Sequence, residues 1–374
     1  MEKKDAQPVQ GLITTNTGFT FSNPKCLVDF YIDYDCEEYY QKKIRITKIE
    51  NEVIKFHYTN SIYKADDSSE EHDLLMELIS LPDQNEKKLV KFIESYGFIF
   101  SISSEKYSIY SCNEIFEIIK RIRYLVEIIT EINKIEPSYK ILTDNLVYFI
   151  LMPSITISDH RKNTNQNKHL YQSAEHQIRK DLIDIGVLTL EPENSYEFEN
   201  AEIDPDLFYF HEKKLQFEEN YQYFETVPPH INLQLKFLKY VLSLSQIYSI
   251  HKTDGIYVEE SLNPKPDENQ KEIILKTAKM ILKEEIDYNT RNIIPKYNIE
   301  SMLGSWDIPD LINAIYFSIF FLNPRFSVVK KCANPTCPNY FQILKSRKNK
   351  IYCSTICGWA VNQRKQRIKN VQKK

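Results

Sequence analysis

Four cysteines near the end of the chain stand as two close pairs, Cys332 with Cys337 and Cys353 with Cys357. Four residues separate the first pair, three the second, and fifteen lie between the pairs. Zinc takes four soft donors at the corners of a tetrahedron, and two short cysteine loops supply them with little chain strain. The spacing therefore predicts one structural zinc held by Cys332, Cys337, Cys353 and Cys357. Two other readings compete. Disulfides belong to oxidising compartments, and no apolar export signal follows Met1-Glu2-Lys3-Lys4. Four separately buried thiols would leave the paired spacing unexplained. A catalytic zinc fits poorly, because four thiolates close the coordination sphere and no histidine follows His251 to act as a base.

The elements around the cysteines follow from local signals. Ser354 is placed to cap a helix with Cys357 in its first turn, where the helix dipole favours a thiolate. Phe341 to Tyr352 alternates apolar and basic residues around a polar turn, which predicts a short hairpin between the pairs. Knuckle, hairpin and helix together make a treble-clef-like unit. At 100° per residue Ile356, Trp359 and Ala360 share one helix face, expected to pack on Phe341. That apolar stripe then runs out, so the rest of the helix is expected to project. Arg364, Lys365, Arg367 and Lys369 cover the projecting part, with Arg347 and Lys348 in the hairpin turn as auxiliaries. Such a helix, without an acid, suits a DNA groove or a row of phosphates; the plain alternative is a solvated, frayed end.

The pattern Cys-x4-Cys-x3-Phe, then Tyr-Cys-Ser-x2-Cys and a helix with Arg364 and Arg367, resembles the bacterial CGNR-type zinc finger. That finger closes predicted transcription regulators, where it is taken to bind DNA. The resemblance implies the same four metal ligands and a DNA-facing finger over about an eighth of the chain. It departs at the naming motif, where Trp359-Ala360 follows Cys357-Gly358 in place of Asn-Arg.

Charge divides the chain. From Arg325 onward there are 13 Lys and Arg and no Asp or Glu, which leaves 35 basic against 52 acidic residues, a formal −17, in the remainder. Four thiolates around one zinc would lower the basic end to about +11. A polyanion is the natural partner of that end: nucleic acid, DNA ahead of RNA, with a homodimer as one route to useful specificity. The acidic, aromatic stretch 191–225, with Glu212, Glu218 and Glu219, is a candidate dock for the basic end when no nucleic acid is bound. No apolar run reaches the length of a bilayer span, so a cytoplasmic location without a membrane partner is expected.

The body is expected to be α+β: mainly helical over residues 11–325, after a loose tail at 1–10 and before the finger at 326–374. Alternating residues from Leu12 to about Asn60 read as a few antiparallel strands, with Cys26 and Cys36 as buried thiols. Helices are predicted at 74–79, 89–96, 114–135, 145–152, 231–251, 271–288 and 308–322. A polar loop at 158–169 is a candidate joint, and 252–268 a connector. Gly11 and Gly18 are the closest pair of glycines, which excludes a dinucleotide fingerprint and a P-loop. Neither His-Glu-x-x-His nor Gly-x-Ser-x-Gly occurs. The reading is a zinc-dependent nucleic-acid-binding regulator with a sensory or dimerisation body. An adaptor that grips an acidic protein surface is the alternative, followed by an enzyme with an unrecognised active site in the body.

Overall fold

The computed structural model describes residues 19–31, 42–59, 62–65, 71–102, 107–151, 155–159, 168–171, 228–243, 248–251, 255–258, 266–299, 302–322, 327–344 and 349–371. The tail at 1–10, Cys36, the stretch 191–225 with Glu212, Glu218 and Glu219, and Arg347 with Lys348 lie outside these residues. In chain order come β1 (Phe19–Tyr31), β2 (Lys43–Thr59), β3 (Ile62–Ala65), β4 (Glu71–His72), α1 (Leu74–Ile79), α2 (Glu86–Tyr96), β5 (Tyr107–Ser111), α3 (Cys112–Ile132) and α4 (Tyr139–Leu151). Next are β6 (Ile155–Ser158), β7 (Lys168–Tyr171), α5 (Pro229–Ser243), β8 (Tyr248–His251), β9 (Gly255–Val258) and α6 (Glu268–Thr290). The chain continues through β10 (Ile294–Asn298), β11 (Leu303–Asp307), α7 (Leu311–Phe321), β12 (Ser327–Lys331), β13 (Tyr340–Leu344) and α8 (Thr355–Val371). The class is α+β, mainly helical, with small antiparallel sheets. The described residues fall into two compact units, one within Met1–Phe116, Ser158–Asn167 and Asn289–Lys374, the other within Glu117–Ile157 and Lys168–Tyr288.

The first unit is built on the expected N-terminal sheet, in the order β1-β2-β3-β4. β5 pairs with the first residues of β2, Lys43–Thr47, while β3 takes its last, Phe56–Thr59. Phe21 and Asn23 point into the core, and so do Cys26 and Val28. The inward set shifts from odd to even numbers because the β1–β2 register slips between Pro24 and Cys26, and one extra residue reverses which face a strand presents. Helices α1 and α2 bury Leu74, Leu78, Leu89, Phe92 and Ile93 in the same unit as Ile44, Ile46 and Phe56 of β2. Phe56 stands 6.0 Å from Phe21 and 6.1 Å from Tyr96, ring to ring. α2 ends at Gly97 with φ 82°. A Cβ there would lie 2.3 Å from Asn23 Nδ2, whose amide donates to the carbonyls of Tyr96 at 2.8 Å and Phe98 at 3.0 Å. Only glycine fits both the backbone angle and the space.

Helix α7 is apolar apart from Asn313 and Ser318 and is buried from Leu311 to Ile319, the pattern of an enclosed helix. Its second residue, Ile312, donates its N–H to Ile99 O at 3.0 Å. In the second unit α3 buries a stripe of Ile118, Ile119, Ile122, Leu125 and Val126. One turn holds a charge instead: Arg121, 1% exposed, donates to Glu285 of α6, 0% exposed, at 2.9 Å. The guanidinium also lies 4.5 Å from the centre of the Phe149 ring of α4. An ion pair withdrawn this far from water must have well-set partners to offset its desolvation.

The structure corrects one long helix. Ile231 to His251 does not run as a single element: α5 stops at Ser243, and Tyr248–His251 pairs antiparallel with Gly255–Val258, in the segment expected to be a connector. Tyr248, Ile250, Ile256 and Tyr257 are β-formers on the two paired segments, and they outweigh the helical spacing upstream. None of the described helices is long and apolar enough to cross a membrane.

Candidate metal centre

The first cysteine pair sits in the loop of a hairpin. β12 and β13 pair antiparallel from Ser327↔Leu344 to Lys331↔Tyr340, so Cys332 leaves one strand and Cys337 lies just before the next. Within the loop Cys332 N–H donates to Asn339 O at 2.9 Å and Cys337 N–H to Asn334 O at 2.8 Å. The hairpin expected inside Phe341–Tyr352 is therefore differently placed. Phe341–Leu344 is a strand, but it pairs backwards across the knuckle with Ser327–Lys331. Val328 and Val329 are good strand formers just ahead of the first cysteine, and they provide the nearer partner.

The second pair opens α8 as expected. Ser354 Oγ accepts the N–H of Cys357 at 3.3 Å, a cap at the third helical residue. Gly358 packs beneath the ring of Tyr352, where a Cβ would stand 3.1 Å from Cδ2. Ala333 N–H donates to Ile351 O at 2.9 Å and ties the two knuckles together. Beneath the cluster lies a small core of Cys332, Phe341 and Ile343, with Val328, Tyr352 and the other three cysteines packed against it.

The four Sγ atoms of Cys332, Cys337, Cys353 and Cys357 lie within 4.8 Å of one another. Sγ of Cys353 is 3.6 Å from Sγ of Cys337 and 3.6 Å from Sγ of Cys357. A tetrahedron with metal–sulfur bonds of about 2.3 Å has edges of about 3.8 Å. The cluster thus has the dimensions of a four-thiolate site and can hold a metal ion. Cys353 N–H also approaches Cys332 Sγ at 3.5 Å, the kind of backbone donor that steadies a thiolate.

Electrostatics set the four thiols apart. Hydrogen bonding from Ser354 first, then from Asn334, holds the Cys357 thiol down at about 7. Burial, with the neighbouring thiols adding to it, pushes Cys353 up to about 12, and burial also raises Cys337. Thiols this close resist shared ionisation, and a divalent cation would displace their protons and relieve the repulsion. Cys26 and Cys112 are buried elsewhere with thiols raised by desolvation, as inert core cysteines should be.

The cations divide as well. Arg364 is engaged within the chain, its Nη1 donating to Asn334 Oδ1 at 3.1 Å and its Nη2 to Thr336 Oγ1 at 2.8 Å. Lys365 and Arg367 are exposed on α8, and Lys369 lies in the same helix. Sequence reasoning passed over Asn334, which is buried and whose Oδ1 also accepts from the N–H and Oγ of Thr336 at 3.4 and 3.2 Å. Its signal was an Asn-Pro-Thr run inside a four-residue knuckle, since Asn in such a turn bonds its own backbone two residues on.

One expected packing is reversed. Ile356 and Trp359 were to face the hairpin, yet they are 76% and 68% exposed. Among the described side chains of α8 it is Val361 that is buried, with Cys357 half-buried one turn earlier. The sulfur positions dictate this. With Cys357 turned to the other thiols, residues at i+4 and i+7, Val361 and Arg364, follow it inward, while Ile356 is rotated 100° away. No family model matches the chain, and no curated protein or solved structure matches it either.

Proposed function

We propose that the chain is a zinc-dependent nucleic-acid-binding protein, a bacterial DNA-binding regulator of the CGNR-like kind, with one structural zinc at Cys332, Cys337, Cys353 and Cys357. Four thiolates in tetrahedral reach favour zinc over magnesium or calcium, which take oxygen donors. When bound, the ion cross-links the two knuckles. The protein's own residues set the direction of the helix: Ser354 caps it, and Arg364 fixes it to Asn334 and Thr336 of the first knuckle. The observation that carries the reading is that this anchored helix holds Lys365 and Arg367 in solvent, on a segment from Arg325 onward with no acid. The remaining units would then serve to sense an effector or to dimerise, and a dimer would extend the small footprint of one finger.

The test is a titration of the zinc-loaded full-length chain against duplex and single-stranded DNA and RNA at 50 mM salt. Each phosphate neutralised on duplex contributes about −0.9 to the log–log salt slope. Lys365→Ala with Arg367→Ala should flatten that slope by about two units. If no nucleic acid binds more tightly than about 100 μM, where non-specific binding begins, the reading fails and the adaptor takes its place.

A further inference from the structure

Helix α8 turns its two largest apolar side chains away from the thiol cluster and into solvent. Ile356 and Trp359 lead the outward face, and Gln363 and Arg367 follow Trp359 at i+4 and i+8. At 1.5 Å per residue the line from Trp359 to Arg367 is about 12 Å long. Asn362 and Gln366, both exposed, flank it with hydrogen-bonding groups and no acid. A large exposed indole is costly in water and gains most from a flat apolar partner. The charge around it selects a partner that is anionic as well. Bare phosphates would answer the cations and leave the ring uncovered. Duplex bases already stack on one another and show no free face.

An unpaired base attached to its own phosphates supplies both surfaces. We infer that Trp359 is a stacking platform for a base of single-stranded nucleic acid, with Arg367 on a neighbouring phosphate and Gln363 between them as a hydrogen-bonding side chain. This rests on the nucleic-acid reading above and narrows it from nucleic acid in general to the unpaired form. Base–aromatic stacking tolerates every sequence because every base has a π-face. The platform alone therefore imposes little sequence preference.

The experiment uses the zinc-loaded full-length chain and fluorescently labelled 12-nucleotide probes at 50 mM salt. The probes are a DNA strand, the RNA of the same sequence, the matching DNA duplex and a DNA strand with every base removed. Poly-L-glutamate serves as a stand-in for an acidic protein. The expected result is that a base-bearing single strand binds more tightly than the duplex or the abasic strand, and the tighter of DNA and RNA identifies the source. Trp359→Ala should weaken single-strand binding about 5- to 150-fold and leave the abasic strand unchanged, whereas Trp359→Phe should retain most of the affinity. Because Trp359 is exposed, both variants should keep their zinc and melting temperature, which are measured alongside. Abasic and normal strands binding equally, or Trp359→Ala binding as tightly as the parent, overturns the platform while nucleic-acid binding stands. If no nucleic acid binds, both readings fall; capture of poly-L-glutamate that depends on Trp359 would then make this face a protein dock.

Discussion

At the scale of single residues the thiols and the groups that touch them carry the argument. Cys353 lies 3.6 Å from two of the other sulfurs, and burial together with the neighbouring thiols raises its own thiol. Cys353→Ser removes one of the four donors, and the expected outcome is a fall from one zinc per chain to less than about a tenth, read by elemental analysis after gel filtration. Retention of stoichiometric zinc would sink the four-thiolate assignment. Arg364 makes a different prediction. Its guanidinium holds Asn334, and Asn334 bonds toward Cys357. Outer partners of metal ligands typically contribute 10- to 100-fold in metal affinity. Arg364→Ala should therefore weaken zinc binding by about that factor in a chelator competition, whereas Lys365→Ala should leave it unchanged. Equal zinc affinities for the two variants would return Arg364 to the set of purely solvent-facing cations.

At the scale of elements, α1 shows how a short helix is held at a cost. Asp73 caps it, Oδ1 accepting the N–H of Met76 at 3.1 Å and its carbonyl that of Glu77 at 2.8 Å. Burial, reinforced by the Glu77 charge and opposed by hydrogen bonds from the backbone N–H groups of Met76 and Leu75, lifts the Asp73 carboxyl from 3.8 to about 6. A carboxyl whose folded value lies above its unfolded value binds more protons when folded. Its contribution is therefore complete below about pH 4 and is lost as pH rises through about 6. Asp73→Asn keeps the cap, since Asn ranks with Asp at this position, and removes the buried charge. The variant should be more stable than the parent by about 1–2 kcal/mol at pH 7 and equal to it near pH 4, by urea unfolding at both values. Parallel pH profiles would show that the carboxyl ionises at no cost.

The same scale shows what the sequence could reveal. α1 runs over the predicted residues 74–79, and Ser354 caps α8 as read, because both signals are local. The facing of α8 was not legible. Its apolar spacing offered Ile356 and Trp359 as the inward stripe, but the sulfur of Cys357 fixes the rotation, a constraint set by residues 20 or more positions away. The β12–β13 pairing was hidden for a related reason: Phe341 carries a strand signal, but not the identity of its partner. β8 was lost where helical spacing and β-propensity overlap in one run, and β9 fell in the segment read as a connector. The cysteine cluster was legible because metal geometry leaves few spacings that work.

At the scale of the molecule the finger belongs to the unit that contains the N-terminal sheet. Ser80 at the C-terminus of α1 accepts the N–H of Tyr340 at 2.7 Å, and Tyr340 is the first residue of β13 and is buried. That bond gives a donor on β13 a partner in the sheet unit and joins the metal-binding element to it. A metal that binds only the folded finger adds free energy to everything that unfolds with the finger, about 4 kcal/mol at a thousandfold excess over Kd. The thermodynamic consequence should stop where cooperative contact stops. Chelator treatment is therefore expected to accelerate amide hydrogen exchange across 327–344 and 349–371, and to raise it several-fold in α1 around Ser80. Protection in α4 and α6 of the second unit should stay the same. Ser80→Ala supplies the check on the route: it should reduce the response of α1 to chelator while leaving zinc content intact. If α1 keeps full protection when zinc is removed from the parent chain, the finger is an energetically separate appendage, and the Ser80–Tyr340 bond joins two elements without coupling their stabilities.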